Sequence, residues 1–96
     1  MYAIISTAQL KPECVATFRQ RWLDEIEPTI NQLPSLVDLY VLVNPETGAL
    51  LVCGIYANEA AALACQASAY QQLFRQSIDL LCVETFTHTG YTVIST

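Results

Sequence analysis

Residues 36–56, LVDLYVLVNPETGALLVCGIY, decide the fold of this chain. Two segments, Leu36 to Val43 and Leu50 to Tyr56, are rich in β-branched and aromatic side chains, a composition that predicts two strands. The segment between them, Asn44 to Gly48, supplies turn chemistry in order. It begins with an Asn that bonds its own backbone, continues with a Pro of preset φ, and ends with a Gly that accepts positive φ. The stretch therefore predicts a β-hairpin.

Both predicted strands are apolar at both alternating sets of positions. In the first strand the two sets are Val37, Leu39, Val41 and Val43, and Leu36, Tyr40 and Leu42. A hairpin with one face in water alternates apolar with polar side chains. We therefore expect both faces of the sheet to be covered, one by helices and the other by something else.

The composition of the whole chain suggests what covers the second face. The 96 residues are 53% hydrophobic and only 14% charged, whereas about 25% charged residues is usual. A small domain has a high ratio of surface to volume, so a solvent-exposed surface should carry more charge than this. The length predicts a single domain over residues 1–96, and the scarcity of charge predicts that it forms a homodimer.

The segment before the hairpin predicts a strand followed by a helix. Tyr2 to Leu10 has the composition of a strand, and Pro12 is suited to the first turn of a helix. Apolar residues then recur at steps of three and four, at Val15, Phe18, Trp22, Ile26, Ile30 and Leu33. Pro28 lacks an N–H and crowds the preceding turn, so we expect a kink or break near Glu27, with a further turn toward Gln32.

The segment after the hairpin predicts the second helix and the last strand. Asn58 is placed to cap a helix within the stretch that runs to Phe74. A second helical segment, Ala69 to Leu81, overlaps the end of that stretch. Cys82 to Thr96 is a Thr-rich strand, with a bend expected at Gly90. The order β-α-β-β-α-β predicts an α+β, ferredoxin-like fold, in which an antiparallel four-stranded sheet carries both helices on one face. Two such sheets packed face to face would form a dimeric α/β barrel.

Charge and hydropathy exclude several classes of partner. The net charge is −5, and the four basic residues are scattered, at Lys11, Arg19, Arg21 and Arg75. Such a chain is unsuited to nucleic acid or to an anionic membrane surface. No apolar run approaches the roughly 20 residues that span a bilayer. Because Met1 leads directly into a strand without a basic segment, we expect no secretory signal and a cytoplasmic location.

The cysteines and the single histidine predict no metal site. The chain has four cysteines, Cys14, Cys53, Cys65 and Cys82, and none of them form a C-x-x-C pair. They are predicted to be free, buried and small apolar side chains. Since His88 is the only histidine and no ligands are closely spaced, zinc is not expected.

Several short runs resemble the antibiotic biosynthesis monooxygenase family, in matching order and spacing over nearly the whole chain. They are Leu33-Pro34-Ser35-Leu36 leading to Tyr40, the Asn44–Gly48 turn, the strand ending in Tyr56, and Glu59-Ala60-Ala61 leading to Ala67-Ser68-Ala69-Tyr70. The resemblance implies a dimer of ferredoxin-like subunits with a pocket between sheet and helices. It also implies cofactor-free oxygenation of aromatic polyketide or quinol substrates or, in one branch, haem degradation.

The polar residues usual in that family are largely replaced in this chain. The third-strand Glu of the family falls on Gly54, and its two helical His positions fall on Cys65 and Ala69. In the haem-degrading branch, the Asn, Trp and His positions fall on Ser6, Cys65 and Arg75. The resemblance therefore implies neither haem nor another cofactor.

The remaining chemistry-bearing side chains define the candidate site. The catalytic candidates are Tyr70, Cys65 and His88, and the candidate pocket residues are Tyr2, Ser6, Trp22, Tyr40, Tyr56 and Tyr70. His88 is a candidate general base, because histidine titrates near neutral pH. Each has a structural alternative: Trp22 as core, Cys65 as buried filler and His88 as a surface residue. Tyr40 and Tyr56 are favoured as packing residues, whereas Tyr70 fits either role.

Two functions follow from these residues. The first is a cofactor-independent monooxygenase of a small aromatic or quinol substrate. The second is a non-catalytic dimeric barrel that binds a small hydrophobic ligand or serves as a partner or regulatory subunit. The replacements at Gly54, Cys65 and Ala69 favour the second function, and the activities common in the family favour the first.

Overall fold

The computed structural model describes residues 1–30, 35–66, 76 and 81–95 of the chain. Its four strands form one antiparallel sheet in the order β2-β3-β1-β4. The strands are β1 (Tyr2–Leu10), β2 (Leu36–Val43), β3 (Ala49–Tyr56) and β4 (Cys82–Thr92). The helical segments are a 3₁₀ turn (Pro12–Cys14), α1 (Val15–Arg21), a π-helical stretch (Trp22–Ile26), α2 (Glu27–Ile30) and α3 (Glu59–Gln66).

The predicted ferredoxin-like α+β fold is confirmed, with close agreement at the strands. β1 and β2 have the predicted bounds, β3 begins one residue earlier at Ala49, and β4 ends at Thr92 rather than Thr96. Asn58 caps α3 as predicted, because its Oδ1 accepts a hydrogen bond of 2.8 Å from the N–H of Ala61. The predicted continuation of this helix over residues 67–75 and 77–80, and the turn at Gln32, lie outside the described residues.

The hairpin turn forms as its residues predict. The side-chain oxygen of Asn44 accepts hydrogen bonds from the N–H groups of Glu46, at 2.9 Å, and Thr47, at 3.3 Å. Gly48 follows with a φ of +79° and donates 2.8 Å to the carbonyl of Asn44. Its own carbonyl accepts 2.9 Å from the N–H of Leu10, so the turn is also bonded to the end of β1.

Replacement of Gly48 by Ala is expected to destabilise the protein by about 2 kcal/mol. A Cβ at this position would lie 2.5 Å from the carbonyl oxygen of Leu10, and the φ of +79° is itself unfavourable for a residue with a side chain. Urea unfolding followed by circular dichroism measures the effect. Glu46→Ala, an exposed change in the same turn, is the control and should cost less than about 0.5 kcal/mol. Equal effects of the two changes would contradict the assigned role of Gly48.

The first helix is irregular next to Pro28, where a kink or break was predicted. It does not break near Glu27; the π-helical stretch precedes α2, and the N–H of Glu27 bonds to the carbonyl of Trp22. In an α-helix the carbonyl of Asp24 would need the N–H that Pro28 lacks. In a π-helical pattern its partner is one residue further along, so the chain passes the proline without breaking.

The helical segments that the structure describes all lie on one face of the sheet. The core on that face contains Leu10, Phe18, Trp22, Ile26, Leu50 and Leu81, with Leu10 and Phe18 almost fully buried. A second cluster, Ile4, Tyr56, Ala62 and Cys65, lies beneath α3. We call this side the covered face.

The opposite side, which we call the uncovered face, is apolar, and none of the described helices packs on it. Strand register assigns to it Ala3, Ile5 and Thr7 of β1, Asp38, Tyr40 and Leu42 of β2, Leu51, Cys53 and Ile55 of β3, and Thr87, Thr89 and Tyr91 of β4. Tyr40, Leu42 and Tyr91 are each at least half exposed, at 53%, 56% and 50%. The covering that the sequence predicts for this face is not provided by the described parts of the chain.

The irregularity in β4 lies away from Gly90. Ile4 pairs with Gly90 in regular register. The register shifts lie nearer the start of β4, between Cys82 and Thr87, the partners of Leu10 and Thr7. The bend predicted at Gly90 is therefore wrong. This glycine instead makes room for a side chain, as described below.

Candidate functional site

A hydrogen-bonded pair, Ser6 and His88, lies on the covered face between β1 and β4. The two residues are direct partners in the register, and Ser6 Oγ lies 2.6 Å from His88 Nδ1. Ser6 is buried and His88 is half-buried. The imidazole also stacks against Phe86, with ring centroids 6.0 Å apart and planes within 8°. Register, hydrogen bond and stacking together fix the position of the imidazole.

This pairing allows His88 to act as a base. When Nδ1 carries the proton and donates to Ser6 Oγ, the lone pair of the imidazole is on Nε2. Ser6 holds the ring in place in either tautomer, because its hydroxyl can accept from Nδ1–H or donate to an unprotonated Nδ1. His88 is half-buried rather than fully exposed, because the β1–β4 register places its side chain on the covered face.

A second polar pair lies beneath α3. The hydroxyl of Tyr56 donates to Cys65 Sγ at 3.6 Å, and the two residues are only 4% and 6% exposed. The Tyr56 ring lies over Gly54, where a Cβ would be 3.0 Å from Tyr56 Cε2. Gly54, which replaces the polar residue usual in the family, therefore gives space to a tyrosine. Cys65 is buried and hydrogen-bonded, in agreement with its interpretation as a packing residue.

The phenol of Tyr2 lies over another glycine, Gly90, on β4. A Cβ at Gly90 would be 2.7 Å from Tyr2 Cζ and closer still to the hydroxyl. Ile4 is the register partner of both Gly54 and Gly90, so the two glycines flank it on the neighbouring strands. In the row of the sheet next to Ser6 and His88, a tyrosine ring thus lies over the glycine on each side of Ile4.

Trp22 lines a separate cleft between the first helix and β2. This cleft has a volume of about 650 Å³, and its walls are mostly apolar. Besides Trp22, it is lined chiefly by Phe18, Leu36, Leu39 and Val41, with Arg19, Glu27 and Asp38 as its charged members. Trp22 is also 8% exposed and part of the core, as its structural interpretation predicted.

Tyr40 lies on the uncovered face, apart from the other candidate pocket residues. It is 53% exposed, and its hydroxyl donates 2.8 Å to Asp38 Oδ2. This hydrogen bond and the negative charge of Asp38 raise the pKa of Tyr40 above its usual value. Tyr40 therefore has no place in a site under the helices.

The other candidates divide into those inside and outside the described residues. Tyr70 and Arg75 lie outside them. All four cysteines are thiols outside any disulfide, as predicted, but only Cys65 is buried, and Cys14, Cys53 and Cys82 are half-buried. Among the residues described, no group of three or more His, Cys, Asp or Glu side chains is arranged to hold a metal ion.

Sequence reasoning missed three residues of the site. Phe86 supports the imidazole, and Gly54 and Gly90 receive the two tyrosine rings. The spacing of Phe86 and His88, two residues apart in a strand, was the available signal for the stacked pair. The glycine contacts depend on strand register, for which the sequence carried no comparable signal.

These observations define an α+β protein of the ferredoxin-like class, with imidazole, hydroxyl and thiol groups gathered on the covered face of its sheet. The model of the family described as antibiotic biosynthesis monooxygenase matches residues 1–77, and the chain belongs to that family. Among curated proteins, no sequence matches this chain significantly. Within the described residues, no helix has the length and apolar character needed to cross a membrane.

Solved structures show the same fold at low sequence identity. A protein of Nitrosomonas europaea named for this family has a TM-score of 0.82 at 18% identity, covering 99% of this chain and 100% of that chain. A second protein of that organism, of unknown function, has a TM-score of 0.83 at 15% identity, with coverages of 99% and 90%. A monooxygenase of Streptomyces coelicolor, solved with nanaomycin D, has a TM-score of 0.82 at 11% identity, with coverages of 99% and 88%.

Proposed function

We propose that this protein is a cofactor-independent monooxygenase of a small aromatic or quinol substrate, with His88 as its general base. The observation that carries the proposal is the 2.6 Å hydrogen bond between Ser6 Oγ and His88 Nδ1 on the covered face. It orients the chain's single histidine, and a proton acceptor needs such a positioned imidazole. Family membership and a structural relative solved with nanaomycin D support a small-molecule site in this fold.

In the proposed reaction the substrate itself supplies the electrons. Nε2 of His88 takes the proton of a phenolic hydroxyl, and the phenolate passes one electron to O₂. The two radicals combine, forming a C–O bond at a ring carbon that carries hydrogen. Protonation gives a hydroperoxide, whose O–O bond breaks as that carbon loses its hydrogen. One oxygen atom remains as a carbonyl and the other leaves as water.

The surroundings of His88 suit this chemistry. Phe86 lies along one face of the imidazole, and the Ser6 hydroxyl that bonds it is buried. The phenyl ring shields that face from water, which limits escape of superoxide from the radical pair. The cleft beside Trp22 is less suitable, because its titratable groups are carboxylates and an arginine rather than an imidazole.

We infer further that the working form is a homodimer joined through the uncovered face. That face exposes Tyr40, Leu42 and Tyr91, and in strands β1, β2 and β3 Asp38 is its one charged residue. An apolar surface of this kind is typical of a protein contact. A second copy would cover it with an equally apolar surface and would account for the low charged fraction of the chain, 14%.

Oxygen uptake tests the activity directly. Protein dialysed against a chelator is mixed with a panel of naphthols and quinols in an oxygen electrode, with no flavin or metal added. The proposal predicts substrate-dependent uptake above the rate of autoxidation. If none of the panel is turned over, the non-catalytic ligand-binding barrel becomes the better description.

Ser6→Ala is expected to lower kcat/KM in this assay by about fivefold. The substitution removes the group that orients the imidazole, and a hydrogen bond of this kind contributes about 1 kcal/mol. Since the imidazole itself is retained, the loss should be partial. An unchanged rate with an intact fold, checked by circular dichroism, would show that Ser6 does not position the base.

A further inference from the structure

We propose that the cleft between the first helix and β2 is a second ligand site, which binds a medium-chain fatty acid with its carboxylate at Arg19 and its tail along Trp22. Neither Ser6 nor His88 lines this cleft, so the proposal does not depend on the proposed oxygenase activity.

The cleft has the size and the walls that a small amphiphile needs. Its volume of about 650 Å³ lies within the range of about 300–1,000 Å³ that is typical of small-molecule sites. Phe18 and Trp22 line it from the helix, and Leu39, Val41 and Val43 line it from β2. Such walls favour an apolar chain over a polar ligand.

Two charged side chains of the first helix, Arg19 and Glu27, lie at opposite ends of the cleft. Because β1 and β2 both run antiparallel to β3, the helix that connects them runs back against β2. Arg19 therefore lies toward the end of β2, and Glu27 lies toward its start. Their sequence positions differ by eight, which is about 12 Å along a helix.

Exposed apolar side chains determine which end of the cleft receives the tail. Leu23 and Val37 both line the cleft and are each about half exposed. Leu23 is one turn before Glu27, and Val37 is near the start of β2, so this exposed surface lies toward the Glu27 end. A tail in that half would remove both side chains from water. The head group then lies at Arg19, whose planar guanidinium matches a carboxylate.

Of the two acidic residues that line the cleft, Glu27 is the one that faces the ligand. Asp38 has its side chain on the uncovered face, where its oxygens accept hydrogen bonds from the N–H of Leu39 at 2.9 Å and the hydroxyl of Tyr40 at 2.8 Å. Glu27 would repel a second negative charge at the far end of the tail.

The distance between the two charges selects the length of the tail. An extended hydrocarbon chain advances roughly 1.3 Å per carbon, so a chain of about eight carbons spans most of the 12 Å or so along the helix. The site should therefore prefer octanoate over octylamine, which has the opposite charge, and over octanedioate, which has a second carboxylate.

Titrations that follow Trp22 fluorescence test the proposal, because Trp22 is the only tryptophan of the chain and lines the cleft. Octanoate should give a saturable change in emission, with a Kd about fivefold lower than that of octylamine or octanedioate. Arg19→Gln should raise the octanoate Kd about fivefold, since it removes the charge that pairs with the head group. Lys11→Gln removes an exposed positive charge outside the cleft and should leave this Kd unchanged.

Val41→Phe tests the position of the tail, because a larger side chain on the β2 wall would occupy the cleft and should prevent binding. Circular dichroism establishes that each variant folds. An octanoate Kd that Arg19→Gln leaves unchanged, or octylamine binding as tightly as octanoate, would overturn the proposal. So would absence of octanoate binding by both fluorescence and calorimetry, even if the protein consumed oxygen with quinols. Octanoate binding without any such oxygen uptake would support this site and reject the proposed function.

Discussion

His88→Asn is expected to lower kcat for quinol-dependent oxygen uptake by at least about 100-fold. A positioned general base contributes about 10²–10⁴-fold to a rate, and asparagine preserves a polar side chain near Ser6 without being able to take a proton. Because the imidazole is held by register, hydrogen bond and stacking, no neighbouring group substitutes for it at the same place. Substrate affinity should change much less than kcat, since the proton transfer occurs after binding.

Thr87→Val is the matched control for His88→Asn. Thr87 is the adjacent residue on β4, but its hydroxyl bonds to Thr7 Oγ1 at 2.7 Å on the uncovered face. Its replacement removes a hydroxyl from the proposed dimer face and leaves the imidazole and its partners untouched, so kcat should change by less than about twofold. If His88→Asn keeps more than a third of the wild-type kcat, the assignment of His88 as the base is wrong.

Leu42→Glu is expected to convert the dimer to a monomer at micromolar protein concentration. Leu42 is 56% exposed on the uncovered face, and its register partner on β3 is the apolar Leu51. In the proposed dimer both copies would bury this side chain, and an unpaired buried carboxylate costs several kcal/mol. Light scattering measures the mass, and circular dichroism establishes that the subunit still folds.

Leu63→Glu is the control for the dimer prediction. Leu63 is also 56% exposed, but it lies on α3, outside the uncovered face of the sheet. The same substitution there should leave the mass unchanged. A wild-type protein that scatters as a monomer at micromolar concentration would refute the homodimer, as would a Leu42→Glu variant that stays dimeric.

Local signals in the sequence predicted the elements of the fold. The hairpin was predictable because Asn44 and Gly48 each have a specific turn role, and both roles are observed. The start of α3 was predictable from the capping side chain of Asn58. By contrast, the effect of Pro28 could not be predicted in detail. The N–H that proline lacks can be accommodated by ending the helix or by a π-helical stretch, and the chain adopts the second.

The candidate site was harder to predict because it depends on register between distant strands. Ser6 and His88 are 82 residues apart, and a shift of one residue would place them on opposite faces. The same uncertainty kept Tyr40 among the pocket residues, although it lies on the uncovered face. Gly54 and Gly90 were interpreted as a missing polar group and a bend, whereas both provide space for tyrosine rings.

The central claim, oxygenation of an aromatic substrate without a cofactor, is tested most directly by isotope labelling. Chelator-treated wild-type protein is incubated with 1-naphthol under ¹⁸O₂, and the quinone product is analysed by mass spectrometry. The proposed reaction predicts one ¹⁸O atom in the product carbonyl and the second in water. An unlabelled product with release of labelled hydrogen peroxide, or no product at all, would contradict it.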